Sequence, residues 1–118
     1  MKSIVFNTKI RGAGLFGALG RSELLTLANG AALILQREPD NPVDTNAIIV
    51  MSFYGVECGY VARQCAAKIA PLIDAGLAPY AHVRRTPFIQ VRFDIEEITS
   101  KIERKASRPV RSGELLDA

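Results

Sequence analysis

Short runs of β-branched, aliphatic and aromatic residues alternate with turn residues along most of the chain, which predicts a mainly β structure. The runs lie at residues 3–11, 31–35, 47–52, 56–62, 83–85 and 88–95. In the last run Ile89, Val91 and Phe93 fall on one side, which we expect to face a core. The dense Pro, Asp and Asn content of residues 38–46 predicts a chain reversal, so the central strands should form an antiparallel meander.

One stretch has the period of a helix instead of a strand. Within residues 63–75, apolar side chains recur at helical spacing, at Cys65, Ile69, Leu72 and Ile73. Gly76 should end this helix, and Pro71 should kink it or divide it into two short helices. A shorter helical segment is predicted at residues 21–28, after a loop at residues 12–20 that holds four glycines.

Together these elements predict an α+β, mainly β fold. We expect a small OB-like antiparallel β-barrel of about six strands, with one main helix closing an end and a short helical segment. The 118 residues fit one domain, and the 48% apolar content is typical of a folded chain. Residues 1–98 should form the domain, and residues 99–118 a polar, basic and partly flexible tail.

Charge adds little to this picture. The chain has a formal charge of +3, but residues 1–98 hold ten bases and nine acids, so the predicted domain is almost neutral. Net charge is therefore weak evidence for a nucleic-acid partner. The first apolar run, at residues 4–6, is too short for a signal peptide or a membrane span, which favours a cytoplasmic protein without a membrane partner.

The few cysteine and histidine residues limit the possible chemistry. Cys58, Cys65 and His82 cannot supply a four-ligand zinc site or a disulfide framework, and we expect both thiols to be buried and reduced. Cys65 falls on the buried helix face, where a thiolate is costly, and His82 is expected at a strand edge. The sequence therefore offers no catalytic set, and the protein is not expected to be an enzyme.

The segment GAGLFG, residues 12–17, matches the dinucleotide-binding pattern, and Glu38 follows near the expected distance. That pattern needs a parallel βαβ unit, whereas Glu38 is followed by a reversal and an antiparallel meander. We therefore interpret the glycines as a tight turn and expect no nucleotide cofactor.

Three carboxylates, Glu38, Asp40 and Asp44, have a spacing that resembles a cation-binding loop. A calcium loop counted from Asp40 would need Gly and Glu where the chain has Thr45 and Met51. We expect no metal, and Asx turns account for some of these side chains.

The segment LQREPDNPVDTNAIIV, residues 35–50, resembles the signature of the HIRAN domain family. In that family a strand ends in Arg-Glu/Asp-Pro, a loop Asn-Pro-x-Asp-x-Asn follows, and Ala-Ile-x-Val begins the next strand. The resemblance continues through Gly59-Tyr60-Val61, through residues 66–76 and through the Gly-aromatic loop at residues 12–17. It covers roughly residues 8–95, and the central loop is its most specific part.

The resemblance implies a non-catalytic domain that grips single-stranded DNA on an OB-like barrel. Members attached to fork-remodelling DNA translocases capture a free 3′ end, which implies a role in DNA repair or replication-fork processing beside a separate helicase or nuclease. Carried over by motif, Asp44 would accept a hydrogen bond from the terminal 3′-hydroxyl, with Asn41 and Asn46 shaping its loop. Arg63, at the basic position before the helix, would contact a phosphate.

The resemblance also implies further contacts. Phe16 and Tyr60 are the candidate rings for stacking on bases, and Arg37 and Lys68 are secondary candidates for phosphates.

The sequence departs from the family pattern at two places in the expected site. Val43 replaces the aromatic residue before the aspartate, and Gly14 and Leu15 replace a basic-aromatic pair. A stacking platform contributes about 1–3 kcal/mol per base, so these replacements could remove much of the affinity for DNA. The alternative is a protein-interaction adaptor that keeps the fold without the DNA-end pocket.

Overall fold

The computed structural model describes residues 2–94, and within them six strands close into an antiparallel barrel. The strands are β1 (Ser3–Arg11), β2 (Ala32–Arg37), β3 (Ile48–Ser52), β4 (Glu57–Val61), β5 (Tyr80–Arg85) and β6 (Phe88–Asp94). Their order around the barrel is β1-β4-β3-β2-β5-β6. This confirms the predicted mainly β barrel with helices. The predicted tail, residues 99–118, lies outside the described residues.

The first helical region begins earlier than the sequence predicted. A 3-10 helix, Ala13–Phe16, leads directly into α1, Gly17–Thr26, so the predicted glycine loop and the helix bounds 21–28 were wrong. Gly20 explains the error: a Cβ there would lie 2.7 Å from the carbonyl oxygen of Glu57 in β4. Gly20 therefore allows α1 to pack closely on β4, and it does not mark a loop.

The main helix, α2, runs over Arg63–Asp74 as one element with Pro71 inside it, so the alternative of two short helices was wrong. Pro71 lies on the exposed side, where the carbonyl of Ala67 that loses its partner can face water. Gly76, at a φ of 95°, ends the helix as predicted. The N–H of Leu77 then bonds the carbonyl of Leu72 at 3.1 Å, which closes the last turn.

The barrel interior holds the core. In β6, Ile89, Val91 and Phe93 are buried while the residues between them face outward, as the alternation predicted. Ile69 of α2 is also buried, so this helix packs on the core.

Two sequence expectations need correction. His82 is not at a strand edge, because β5 pairs with β2 and β6 on its two sides in the closed barrel. Cys58 is buried, and burial raises the pKa of its thiol, but Cys65 is only half-buried.

All pairs of neighbouring strands are antiparallel, so residues 12–17 do not form a nucleotide-binding βαβ turn. Among the described helices, none has the length and apolar character needed to span a membrane.

Candidate nucleic-acid interface

The loop between β2 and β3 is shaped by two Asx turns. The Oδ1 atom of Asn41 accepts hydrogen bonds from the backbone N–H groups of Val43 and Asp44, at 2.9 and 3.0 Å. The Oδ1 atom of Asp44 accepts one from the N–H of Asn46, at 2.9 Å. Asn41 therefore shapes the loop through its side chain, whereas Asn46 takes part through its backbone.

Arg37 fastens this loop to the end of α2. Its guanidinium donates to both carboxylate oxygens of Asp74, at 2.8 and 3.1 Å, and to the carbonyls of Thr45 and Ala47, at 2.9 and 2.7 Å. The hydrogen bond to Asp74 raises the pKa of Arg37 and lowers that of Asp74. Arg37 therefore has a role in holding the loop, and four of its five N–H donors are used within the protein.

A cleft of about 280 Å³ opens between this loop, the end of β1 and the 3-10 helix. Two arginines, two apolar side chains and three other polar side chains line most of it, namely Arg11, Arg63, Leu15, Val43, Asn41, Asp44 and Tyr60. The structure thus brings Asp44, Asn41, Tyr60 and Arg63 together at one site. Asn46, Phe16, Arg37 and Lys68 are not among the described residues that line it.

The two carboxylate oxygens of Asp44 have different surroundings. Oδ1 is held by the Asx turn, while Oδ2 lies 3.6 Å from Nε of Arg63 and has no hydrogen bond from the described residues. The Asp44 side chain is 18% exposed and that of Arg63 is 74% exposed. Asp44 is therefore fixed by the fold, with one oxygen able to accept a hydrogen bond from outside.

Tyr60 forms a fixed wall of the cleft. Its hydroxyl donates to Oε1 of Glu38 at 2.8 Å, and the same oxygen accepts from Nδ2 of Asn41 at 2.6 Å. The hydrogen bond from Asn41 lowers the pKa of Glu38 most, and the bond from Tyr60 lowers it further. Burial and the bond to Glu38 raise the pKa of Tyr60. The phenol therefore stays neutral and the carboxylate charged, which keeps the ring in one orientation.

The second candidate ring has a supporting position. Phe16 packs against Tyr60 with 5.3 Å between ring centroids and 40° between ring planes. Leu15, its neighbour in the 3-10 helix, lines the cleft instead. The structure therefore offers one ring to a ligand, with the second ring behind it.

Sequence reasoning missed Arg11 and did not predict that Glu38 would hold Tyr60. Arg11 lies beside Tyr60 because these residues are register partners where β1 meets β4. That pairing depends on the tertiary structure. The sequence shows only that Arg11 directly precedes the glycine-containing segment at residues 12–17.

An antiparallel barrel with a loop-lined cleft of this kind defines a class of small domains. The chain belongs to the HIRAN domain family, whose model matches residues 7–94. The helicase-like transcription factor of Mus musculus is 44% identical over 50 residues, a match that covers 42% of this chain. The matched region spans only 5% of that relative's length.

Solved structures agree with this fold. The crystal structure of the HIRAN domain of human HLTF superposes with a TM-score of 0.65 at 19% identity, covering 86% of this chain and 91% of that chain. A protein from Lactobacillus plantarum superposes with a TM-score of 0.66 at 27% identity, covering 78% of this chain and 93% of that chain.

Proposed function

We propose that the cleft binds single-stranded DNA and recognises a free 3′ end without catalysing a reaction. The observation that carries this proposal is the geometry of Asp44. Its Oδ1 atom is held by the loop, its Oδ2 atom lies 3.6 Å from Nε of Arg63, and both residues line the cleft. A terminal hydroxyl can donate to Oδ2, whereas a terminal phosphate would bring negative charge against the carboxylate.

The two arginines of the cleft supply the attraction for phosphates. Arg63 is largely exposed, and Arg11 is exposed at the end of β1 on another wall of the cleft. Guanidinium groups bind phosphate oxygens through paired hydrogen bonds, so these positions can hold the one or two phosphates next to the strand end. The basic tail, residues 99–118, would add attraction that salt screens.

The remaining wall residues suit the terminal nucleotide. Tyr60 offers a ring face held by Glu38, and Leu15 and Val43 offer apolar surface to a base or sugar. Aliphatic contact replaces stacking at these two positions, so we expect a lower affinity than a cleft with three rings would give.

The match to a helicase-like relative supports a proposed setting for this activity. We propose that the domain acts in DNA repair or replication-fork processing in the cytoplasm, beside a separate helicase or nuclease. The domain would bring the strand end to its partner, and the partner would do the chemistry.

Fluorescence anisotropy with a labelled oligonucleotide tests the binding proposal. We expect the full chain to bind a 3′-hydroxyl oligonucleotide more tightly than its 3′-phosphate twin. With one or two phosphates held in the cleft and about one more by the tail, the log affinity for a short oligonucleotide should fall with log salt at a slope of roughly −1.4 to −2. Equal binding of the twins would refute end recognition, and no binding of either at low salt would refute DNA binding.

A second candidate function is a protein-interaction adaptor. The observation in its favour is that Leu15 and Val43 are 76% and 77% exposed, although both are apolar and line the same cleft. A pull-down from native lysate with and without nuclease separates the two functions. A partner lost after nuclease treatment supports DNA binding, whereas one that persists, and is released by Leu15→Asp, supports the adaptor.

A further inference from the structure

Basic and acidic side chains are distributed unevenly around the barrel, although the predicted domain is almost neutral. The described residues contain ten Lys and Arg and seven Asp and Glu. Strands β1, β5 and β6, which are neighbours in the barrel, carry five of those ten bases and only one of the seven acids. The bases are Lys9, Arg11, Arg84, Arg85 and Arg92. One side of the barrel is therefore strongly basic.

The contacts show that these side chains share the outer surface of the three strands. The Oδ1 atom of Asn7 in β1 accepts hydrogen bonds from Nε2 of Gln90 in β6, at 3.3 Å, and from Nη1 of Arg84 in β5, at 3.5 Å. The residues between them, such as Ile89 and Val91, point into the core. We call this surface the outer basic face; it consists of Val5, Asn7, Lys9, Tyr80, His82, Arg84, Arg85, Phe88, Gln90, Arg92 and Asp94. Its one acid, Asp94, is paired with Arg92 at 3.1 Å.

Two aromatic rings lie among the bases. Phe88 is 53% exposed and pairs with Lys9 across the strands, and Tyr80 is 45% exposed. The guanidinium of Arg92 lies 4.8 Å from the centre of the Tyr80 ring. Exposed rings between arginines are the surface on which single-stranded nucleic acids stack their bases and rest their phosphates.

An irregularity in β5 adds a cation to this face. The register between β5 and β6 shifts between Val83 and Arg85, so Arg84 and Arg85 are consecutive and both exposed. In a regular strand, successive side chains point to opposite faces, and one of the two would point inward.

The outer basic face is continuous with the cleft. Strand β1 pairs with β6 as far as Lys9 and then with β4 at Ile10 and Arg11, and Arg11 lines the cleft. From Val5 to Arg11 the strand extends about 20 Å at roughly 3.4 Å per residue. A strand that leaves the cleft past Arg11 therefore meets Lys9 and Phe88 next.

We infer that the outer basic face binds the same DNA strand whose end occupies the cleft, so that the site extends over several nucleotides from Arg11 toward Tyr80. This inference rests on the proposed function and deepens it. Barrels of this size hold about 4–16 nucleotides, more than the cleft alone can contact. The occupant is polyanionic because the face holds a cluster of arginines, and it is single-stranded because the rings need unpaired bases.

The test compares short and long strands bound by the full chain. Anisotropy is measured with 3′-hydroxyl oligothymidines of three and twelve nucleotides. The variants are Arg84→Ala combined with Arg85→Ala, and Phe88→Ala alone. Arg21→Glu is the charge-matched control, because it changes the net charge by the same two units and Arg21 is exposed on α1, outside the two sites. The tail is the same in every protein, so it cannot account for a difference between variants.

We expect the wild type to bind the twelve-mer on the order of ten-fold more tightly than the trimer. Each face variant should lose most of this gain and leave trimer binding unchanged. The double arginine variant should also show a salt slope shallower by about 1.4, which corresponds to two phosphates. The control should keep the wild-type length dependence.

Several outcomes would overturn the inference. The inference fails if the face variants keep the wild-type length dependence, or if the control loses as much twelve-mer affinity as they do. It also fails if an acidic peptide binds this face more tightly than the twelve-mer. If the trimer binds with its 3′-hydroxyl preference and the twelve-mer binds no better, this inference alone fails. If the trimer shows no such preference while the face variants still weaken the twelve-mer, end recognition fails, and with it the continuous site, and only DNA binding by the outer basic face remains.

Discussion

At the scale of single residues, the site depends on two carboxylates that hydrogen bonds within the fold hold in place. Asp44 uses one oxygen to hold its loop and faces Arg63 with the other. Glu38 uses one oxygen to hold both Tyr60 and Asn41. The loop and the ring are therefore set before any ligand arrives, so binding need not order them.

The lowered pKa of Glu38 predicts a pH dependence of stability. The folded state favours the charged form, so this contribution is fully present above about pH 4.5, the ordinary pKa of a glutamate, and is lost as the pH falls through the lower folded-state value. Glu38→Gln removes the titrating group and keeps an amide of similar shape. The gap in free energy of unfolding between wild type and Glu38→Gln should shrink between pH 6 and roughly pH 3.5. Urea unfolding across this range measures it, and a gap independent of pH would contradict the account.

At the scale of elements, Arg37 joins three parts of the molecule, because it belongs to β2 and bonds the loop carbonyls and α2. Arg37→Ala should lower the free energy of unfolding by about 2 kcal/mol, since two loop carbonyls lose their donor. Lys68→Ala removes the same charge from an exposed position of α2 and should have little effect. Thermal unfolding of both variants checks this, and similar melting temperatures would contradict the role of Arg37.

The packing of α1 on β4 gives a second prediction at this scale. Gly20→Ala places a methyl group 2.7 Å from the Glu57 carbonyl and from Cβ of Phe16, so α1 must shift. We expect a loss of about 1–3 kcal/mol in the free energy of unfolding. Gly14→Ala is the matched control, because no atom lies within 4 Å of the added carbon. Chemical denaturation compares them, and an unaffected Gly20→Ala would show that the contact is not tight.

Local patterns explain why some elements could be predicted and others could not. Strand β6 and helix α2 each bury one face, so apolar residues recur along them with the period of a strand and of a helix. Both elements were therefore predictable from the sequence. The beginning of α1 at Gly17 was not, because glycine favours loops locally and its use at Gly20 depends on β4, a partner distant in sequence. The site shows the same division: the loop motif identified Asp44 and Asn41, whereas the neighbourhood of Arg11 depends on barrel closure.

At the scale of the whole molecule, closure of the barrel connects the cleft with a basic surface that the sequence analysis did not identify. An average charge over residues 1–98 suggested a neutral domain, but folding collects the bases of β1, β5 and β6 on one side. Strand β1 runs from that side into the cleft because it changes partner from β6 to β4 near Ile10. Neither the local pattern nor the net charge contains this arrangement, which arises only from the strand order.

The most direct test of end recognition is a comparison of wild type with Asp44→Asn on 3′-hydroxyl and 3′-phosphate oligonucleotides. Asparagine keeps an oxygen for the Asn46 N–H, so the loop should remain folded, while the negative charge is removed. We predict that wild type prefers the hydroxyl end by on the order of ten-fold, and that the variant loses most of this preference while its melting temperature stays close to that of wild type. An undiminished preference in a folded Asp44→Asn variant would contradict the assignment of Asp44 as the group that reads the strand end.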